Sequence, residues 1–471
     1  MSVLDEFLNL DLAGPALNIG VVGDAMIDQY FNVRVKKISP EFPIPVMLTE
    51  DDSSEDFPGG AANVAYQFKH FNTKAHLASF IDLAASLCFL RTGIDTKFCI
   101  DIGDNKIPRK RRFYSGDFPT YRWDVEKAEY GLDDLNRKCF ELYDKIHSES
   151  DTIDALIFSD YGKGVFNEYN NLLIPDVPIS VVDPKSGDLN RWRGCTVFKP
   201  NYEEALNLSG RKTLYDAGNH LFDELKCQAV IITQGGTGIT VFDDGGIHEI
   251  RPTSKLPPAE SVIGAGDCFV AFLTLALARG MGIRKSAEVA WEAGAIYVKN
   301  RHNKPISRLD LMNKIDPAIG KIIVGFIEEY VGKKTRDYKL VFTNGVFDML
   351  HQGHIETLKF AKSLGDKLIV AVNTDESTGR LKPGRPIMPL EQRMSLLASL
   401  ECVDFVTSFD QDTPLEIIKK IQPDILVKGS EYQVENIVGN DLVKVVTSPM
   451  VEGLSTTKII EAIQRQQARQ I

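Results

Sequence analysis

The sequence predicts an α/β chain in two domains, each built on a largely parallel sheet, and three observations predict it. Short apolar runs alternate with helix-like stretches, as in Asn18-Ile-Gly-Val-Val-Gly followed by Ala61 to Phe71, and later Ala229-Val-Ile-Ile-Thr before a turn. A helix-like stretch gives way to the polar run Gly332-Lys-Lys-Thr-Arg-Asp, after which a new strand starts at Leu340. The length of 471 residues suits two or three domains of roughly 100 to 200 residues. Together these place a first domain at 1–315, a linker at 316–338 and a second domain at 339–471.

Within the first domain, Ile38 to Glu50 breaks the alternation. Its three prolines suit an edge strand or a protruding lid, one that either covers a site or pairs two copies into a homodimer. After the boundary the alternation resumes with Lys367-Leu-Ile-Val-Ala-Val, a helix near Leu390 to Leu400, Asp404-Phe-Val-Thr and Asp424-Ile-Leu-Val-Lys, which is enough for a smaller doubly wound domain.

Composition narrows the function. A hydrophobic fraction of 43% and a charged fraction of 25% are those of an ordinary water-soluble globular protein. The net charge of -11 argues against a broad nucleic-acid footprint. Seven scattered cysteines without a Cys-x-x-Cys spacing suggest reduced, mostly buried thiols rather than zinc or redox chemistry. Acids stand where a signal peptide needs positive charge, and no apolar run approaches the roughly 18 residues of a membrane span. The expectation is a cytoplasmic protein with no membrane partner.

Gly264-Ala265-Gly266-Asp267 stands immediately before the apolar run from Phe269. Glycines at a helix start let backbone amides approach an anion and aim the positive helix end at it. An Asp there could take a proton from a sugar hydroxyl as it attacks a phosphoryl group. The plain alternative is a Gly-rich turn with a capping Asp. Gly59-Gly60 with Asn63 could hold sugar hydroxyls or form only a turn and a cap. Asn201 and Glu204 lie three residues apart on one helical face, suitable for water-mediated Mg²⁺ or for a capping box. Thr233-Gln-Gly235-Gly-Thr-Gly238 lies between strand-like runs and could bind nucleotide phosphates or form a hairpin.

In this order, with Gly23-Asp24 and Asp28 near the first strand, these motifs resemble the ribokinase family over about two-thirds of the chain. The resemblance implies a ribokinase-like three-layer domain with a lid. It also implies a sugar kinase with Asp267 as catalytic base, Gly264, Ala265 and Gly266 as anion hole, and Asn201, Tyr202, Glu203 and Glu204 with Thr233, Gly235 and Gly238 serving Mg²⁺ with ATP. Asp24, Asp28, Gly59, Gly60 and Asn63 would face the sugar. Ser159-Asp160-Tyr-Gly-Lys163-Gly and Val182-Asp183-Pro-Lys185 are similar to the branch that phosphorylates heptose 7-phosphate, which adds Lys185 to the sugar site. Two departures stand out: the stretch from His76 to Ile100 looks short, and Ser261 replaces a common acid.

The strongest local motif is Thr343-Asn344-Gly345-Val-Phe347-Asp348-Met-Leu-His351-Gln-Gly353-His354. Two imidazoles at a helix start can donate to phosphate oxygens as charge builds on departing pyrophosphate. Zinc is the functional competitor, but the sequence offers no third ligand. Downstream, Ser455-Thr456-Thr457 could cradle a second phosphate or simply cap the final helix. Lys382, Arg393 and Lys428 could add phosphate contacts or be surface charges. The set resembles the cytidylyltransferase-like nucleotidyltransferases, and Asn373-Thr-Asp375, Arg385-Pro, Pro389 to Met394 and Asp412-Thr-Pro414 look like the adenylyltransferase half of the bifunctional heptose kinase and adenylyltransferase family. The resemblance implies a smaller Rossmann-like nucleotidyltransferase domain with His351 and His354 catalytic. It further implies ADP-heptose formation for lipopolysaccharide core synthesis, with sugar phosphates and ATP as small-molecule partners. The same architecture on another sugar or polyol phosphate with CTP, or a regulatory protein with one degenerate half, stays open from sequence.

Overall fold

The computed structural model describes residues 2–49, 54–103, 106–116, 118–126, 141, 144, 148, 152–166, 174–185, 187–252, 263–299, 303–315, 319–323, 327, 331, 336, 338–429 and 433–449. The chain divides between Leu311 and Met312 into two compact units.

The first unit opens with a helix, Val3–Ala13, started by a capping box between Ser2 and Asp5. The strands that follow are β1 (Leu17–Gly23), β2 (Ala25–Asn32), β3 (Arg34–Ile38), β4 (Pro45–Leu48), β5 (Glu55–Gly60), β6 (Thr73–Ala78), β7 (Phe80–Ile81), β8 (Ile100–Asp101), β9 (Arg109–Ser115) and β10 (Phe118–Val125). They continue with β11 (Ala155–Ser159), β12 (Ser180–Asp183), β13 (Val197–Phe198), β14 (Ala229–Thr233), β15 (Ile239–Asp243) and β16 (Gly246–Ile250).

Eight strands form the main sheet in the order β16-β15-β14-β13-β12-β11-β1-β6. Pairing is parallel from β6 to β14 and turns antiparallel at β15 and β16. The central strands are buried on both faces, which is why Leu156 to Phe158 and Val230 to Ile232 are unbroken apolar runs. The helix Ala265–Ala278 is buried continuously from Asp267 to Leu277. It packs chiefly on the helix Ile283–Tyr297 and on the short helix Ala61–Tyr66.

At Asp24 the chain leaves the main sheet and enters a second one, ordered β10-β9-β2-β5. This smaller sheet brings Asp28 of β2 and Lys110 and Arg112 of β9 onto one face, because alternate residues of a strand share a side and Asp28 pairs with Lys110 in register. The proline-rich segment forms the two-stranded antiparallel hairpin β3-β4, on which Val35, Ile38, Phe42, Ile44 and Leu48 are exposed.

The second unit is a five-stranded parallel sheet of β17 (Leu340–Gly345), β18 (Lys367–Asn373), β19 (Phe405–Phe409), β20 (Ile425–Gly429) and β21 (Lys444–Ser448). The order β19-β18-β17-β20-β21 reverses direction at β17, and a crevice opens beyond the strand ends at such a switch point. Its core gathers Val341, Leu358, Val370, Leu397, Val406 and Val427. Residues described between 319 and 338, within the stretch read as a linker, pack on this unit. Ile322 bridges to Val406, and Arg336 donates to the carbonyls of Val331, Ile421 and Gln422.

Candidate active sites

The helix carrying Asp267 begins at Gly264, which adopts φ 74° and offers no side-chain cap. A side chain could not stand there: a Cβ on Gly264 would lie 2.6 Å from the Tyr297 hydroxyl and 2.7 Å from Asn63 Nδ2. The left-handed turn leaves the first helical amides, those of Ala265, Gly266 and Asp267, without carbonyl partners inside the helix, so they and the helix dipole present positive potential to an anion.

Asp267 is buried within the first turn of this helix. Asn63 Nδ2 donates to its Oδ2 at 2.7 Å, and the Tyr161 hydroxyl donates to its Oδ1. Asn63 is itself held by Gln67, whose Nε2 donates to Asn63 Oδ1 at 3.0 Å. Burial pushes the Asp267 carboxyl up to about 7; the two hydrogen bonds oppose the rise, and the charges of Asp183 and Asp28 add to it. That suits a group which must hold a proton transiently near neutral pH.

A cavity of about 990 Å³ runs from Asp267 and the Gly264–Gly266 turn past Asn201 and Glu204 to Thr233 and Gly235. Asn201 caps the helix Tyr202–Ser209 in a full capping box, its side chain accepting from the Glu204 amide while Glu204 Oε2 accepts from the Asn201 amide, both at 2.9 Å. The plain alternative at this pair is therefore present, yet both residues also line the cavity. Lys185 Nζ donates to Glu204 Oε1 at 3.1 Å, so Lys185 reaches the cavity on the Glu204 side. Tyr202 is exposed on its helix. Gly235 opens a short 3₁₀ turn that Gly238 closes. The apolar part of the wall includes Phe269, Trp291 and Val298.

On the sugar side, Asp28 is buried and paired with Arg112, whose Nη1 donates at 2.6 Å, while Asn303 Nδ2 donates to its other oxygen. Gly59 leaves room for this carboxylate, since a Cβ there would sit 2.9 Å from Asp28 Oδ2. Lys110 lies over the Tyr161 ring, 5.4 Å from its centroid. Burial lowers the Lys110 pKa, against the pull of Asp28 and Asp267. Asp24 has a different job from the one expected of it: its carboxylate accepts the amides of Tyr161, Lys163 and Val165 at 2.9 to 3.0 Å, so it clasps the turn after β11 rather than facing a ligand freely. Burial raises its pKa in spite of those three amides.

Lys110, Arg112 and Asn303 were not singled out from sequence, and Tyr161 entered only inside the Ser159–Gly164 motif with no role of its own. For Lys110 and Arg112 the visible signal was the basic run Arg109-Lys-Arg-Arg112, and a charge run usually marks a solvated face.

In the second unit, His351 is the N-cap residue of the helix Gln352–Lys362 and His354 lies in its first turn. Their rings stack with centroids 3.9 Å apart, and Phe347 flanks His354 at 5.3 Å. Phe347 has a positive φ of 51°, the sharp turn that sends the chain from β17 back to the helix. Burial lowers both imidazoles, His354 to about 4 with a further push from His351 and Lys382. Nδ1 of His351, Nδ1 of His354 and Oδ1 of Asn344 are buried without a hydrogen-bond partner among the described residues. Orphaned polar atoms at a switch-point crevice are the mark of a ligand site. Lys428 reaches it, with Nζ donating to the Asn344 carbonyl at 3.1 Å.

Other predicted residues take supporting places. Thr343 hydrogen-bonds across to the Val427 carbonyl at 2.9 Å, tying β17 to β20. Gly345 packs against the Phe347 ring. Asp348 accepts the amides of Ile387 and Met388 and a bond from Arg385. Burial works to raise its pKa but is outweighed by these bonds, and the net direction is down. Arg393 is wholly buried, donating to the carbonyls of Met388, Val346 and Asn373 and to Asp375 Oδ1. It is thus a strut beneath the site instead of an open phosphate contact. Lys382 follows the helix Asp375–Leu381 at an exposed position, and Gly353 lies in the first turn of the histidine helix. Ser455, Thr456 and Thr457 lie outside the described residues. No cluster of three or more metal-ligating side chains occurs among the described residues, so zinc at the histidine pair has no support there.

A buried carboxylate at an amide-lined helix start and a histidine-bearing switch-point crevice fit a carbohydrate kinase joined to a nucleotidyltransferase. Comparison with known families agrees: residues 16–305 match the pfkB family of carbohydrate kinases, and residues 342–462 match the cytidylyltransferase-like family. The bifunctional protein HldE of Citrobacter koseri is 34% identical over 469 residues, covering 94% of this chain and 96% of that protein. That of Sodalis glossinidius is 35% identical over 468 residues, covering 94% and 95%. A solved phosphofructokinase-2 variant from Escherichia coli superposes on 65% of this chain and 99% of its own with a TM-score of 0.52 at 16% identity, a likeness of fold alone. The chain belongs to the HldE family of bifunctional proteins. No helix among the described residues is long and apolar enough to cross a membrane.

Proposed function

We propose that this chain activates a heptose in two ATP-dependent steps. The first unit phosphorylates D-glycero-D-manno-heptose 7-phosphate at C1, and the second joins heptose 1-phosphate to AMP from ATP, releasing pyrophosphate and giving ADP-heptose for lipopolysaccharide core synthesis. The observation that carries this reading is likeness to HldE proteins over 94% of the chain, together with matches to both family models. A separate phosphatase removes the 7-phosphate between the steps.

In the first step Asp267 accepts the proton of the C1 hydroxyl as its oxygen attacks the γ-phosphorus. The bond from that phosphorus to the β,γ-bridging oxygen breaks and ADP leaves. The amides of Ala265 and Gly266 steady charge on the transferring oxygens. Asp28 and Asn63 orient the sugar, while Lys110 and Arg112 supply positive charge toward its phosphate. Glu204 and Asn201 line the cavity and would meet a hydrated Mg²⁺ on ATP through water, Glu204 offering the hard oxygen donor that such an ion prefers. When bound, Mg²⁺ neutralises charge on the phosphate oxygens.

In the second step the phosphate of heptose 1-phosphate attacks the α-phosphorus of ATP and the bond to the bridging oxygen of pyrophosphate breaks. His351 and His354, both lowered by burial, would present their rings to the developing charge, and Lys428 would add a cation. The exposed apolar hairpin β3-β4 is the surface on which we expect two copies to pair, and a cytoplasmic location is expected from the ATP and sugar-phosphate substrates.

Mass-spectrometric product analysis with Mg²⁺, ATP or CTP, and each heptose phosphate separately tests the assignment. Heptose 1,7-bisphosphate and ADP-heptose are the expected products; no ATP-dependent product from either sugar overturns it, and a CTP-only product moves the second unit to another nucleotide.

A further inference from the structure

Tyr161 is not used by the mechanism above, yet it joins three parts of the kinase site. Its amide is held by Asp24 Oδ2 at 2.9 Å, its ring lies beneath the Lys110 ammonium, and its hydroxyl donates to Asp267 Oδ1. With Asn63 on Oδ2, the carboxylate is gripped at both oxygens by donors from different elements. We propose that Tyr161 is a positioning residue for the kinase reaction, orienting the Asp267 carboxylate and favouring its ionised form, with Asp24 fixing the turn that presents it. This inference rests on the kinase reading.

The physical reason lies in what surrounds the base. The helix Ile283–Tyr297 brings Tyr297, β9 brings Lys110, β2 brings Asp28, and the ends of β12 and β13 bring Asp183 and Lys199, which pair at 2.7 Å. Lys110 is drawn toward Asp28 as well as toward Asp267, and Lys199 is committed to Asp183, so among the described residues no cation is given to the base alone. Burial and the two nearby acids favour the protonated carboxyl, a form that cannot accept the sugar proton. Hydrogen bonds from neutral donors offset them without introducing a charge that would compete for the phosphoryl group. Tyr161 keeps its proton throughout, because burial and the neighbouring carboxylate raise its own pKa well above the ordinary phenol value. It is a donor, never the acid or the base of the reaction.

The test is the pH profile of bisphosphate formation by the full chain and by Tyr161→Phe, which retains the ring under Lys110. Losing a hydrogen bond to a charged group should move the acidic limb upward by about one pH unit or more, costing roughly tenfold in kcat/KM on that limb while the rate recovers at alkaline pH. The KM for ATP, unchanged, reports that the unit is folded. In an Asp267→Asn background the Tyr161→Phe change should add nothing, since it acts through Asp267. An unshifted profile, an equal loss at every pH, or an additive loss in the double variant overturns the inference. Absence of bisphosphate from the unsubstituted chain overturns the kinase reading and this inference together.

Discussion

Asn63 donates to Asp267 at 2.7 Å across 204 positions of sequence, so the short helix after β5 orients the base at the start of a distant helix. A Cβ on Gly264 would lie 2.7 Å from the donating Asn63 Nδ2, so the glycine leaves this contact its room.

Replacing the base tests the division of labour. Asp267→Asn keeps the shape and should lower bisphosphate formation by about 10²- to 10⁴-fold, the usual range for general-base catalysis, while adenylyl transfer to heptose 1-phosphate is unchanged. Parallel assays of both half-reactions on one preparation check it, and equal loss in both would contradict two separate sites.

The base also sets a pH dependence. With its carboxyl raised by burial to about 7, Asp267 is mostly protonated below that pH and ionised above it. The kinase kcat/KM should therefore fall tenfold per unit below about 7 and level off above. An acidic limb near 4 would show that the base is solvated in the working enzyme.

His354→Ala should do the reverse of Asp267→Asn, lowering adenylyl transfer by about 10²- to 10³-fold with the kinase untouched. Burial depresses the His354 pKa to about 4, so in the free protein its ring should stay neutral as pH falls to 5 and gain its proton only near 4. Histidine NMR titration measures this directly; an ordinary value would mean that the ring is open to water.

Gly264→Ala forces a Cβ onto a left-handed turn and into Tyr297 and Asn63. A loss of about 2 kcal/mol in stability is expected, together with loss of kinase turnover. Urea unfolding monitored on the kinase unit would reveal it. A stable, active variant would mean that the turn can relax without disturbing the base.

Arg393→Ala removes four donated hydrogen bonds from a fully buried guanidinium and leaves the Val346, Asn373 and Met388 carbonyls without this partner. The second unit should lose about 3 kcal/mol or more, and Arg393→Lys should not restore it, because an ammonium cannot span the same fork. Were stability normal and only the ATP KM changed, Arg393 would be a ligand contact after all.

Local signals in the chain carried the readings that proved most direct. Gly264 to Asp267 and His351 to His354 each place backbone geometry and chemistry within a few residues, so one short window holds both the turn and the group it presents. Residues whose partners lie far away could not be read in this way. Asp24 and Arg393 have the chemistry of ligand contacts, but the chain commits their charges to backbone groups contributed by distant turns. Tyr161, within the Ser159–Gly164 motif, and Lys110, within a basic run, become relevant to Asp267 only when β9 and the turn after β11 meet beside it.

The α/β class and the order of the two families were legible in the chain alone, and so were the Gly264–Asp267 and His351–His354 motifs as candidates, because apolar periodicity and glycine-opened helix starts are properties of neighbouring residues. Tertiary packing separated the polar groups that line a cavity from those consumed in support. Burial and hydrogen-bond satisfaction depend on the elements packed around each group, and those elements come from the whole length of the chain.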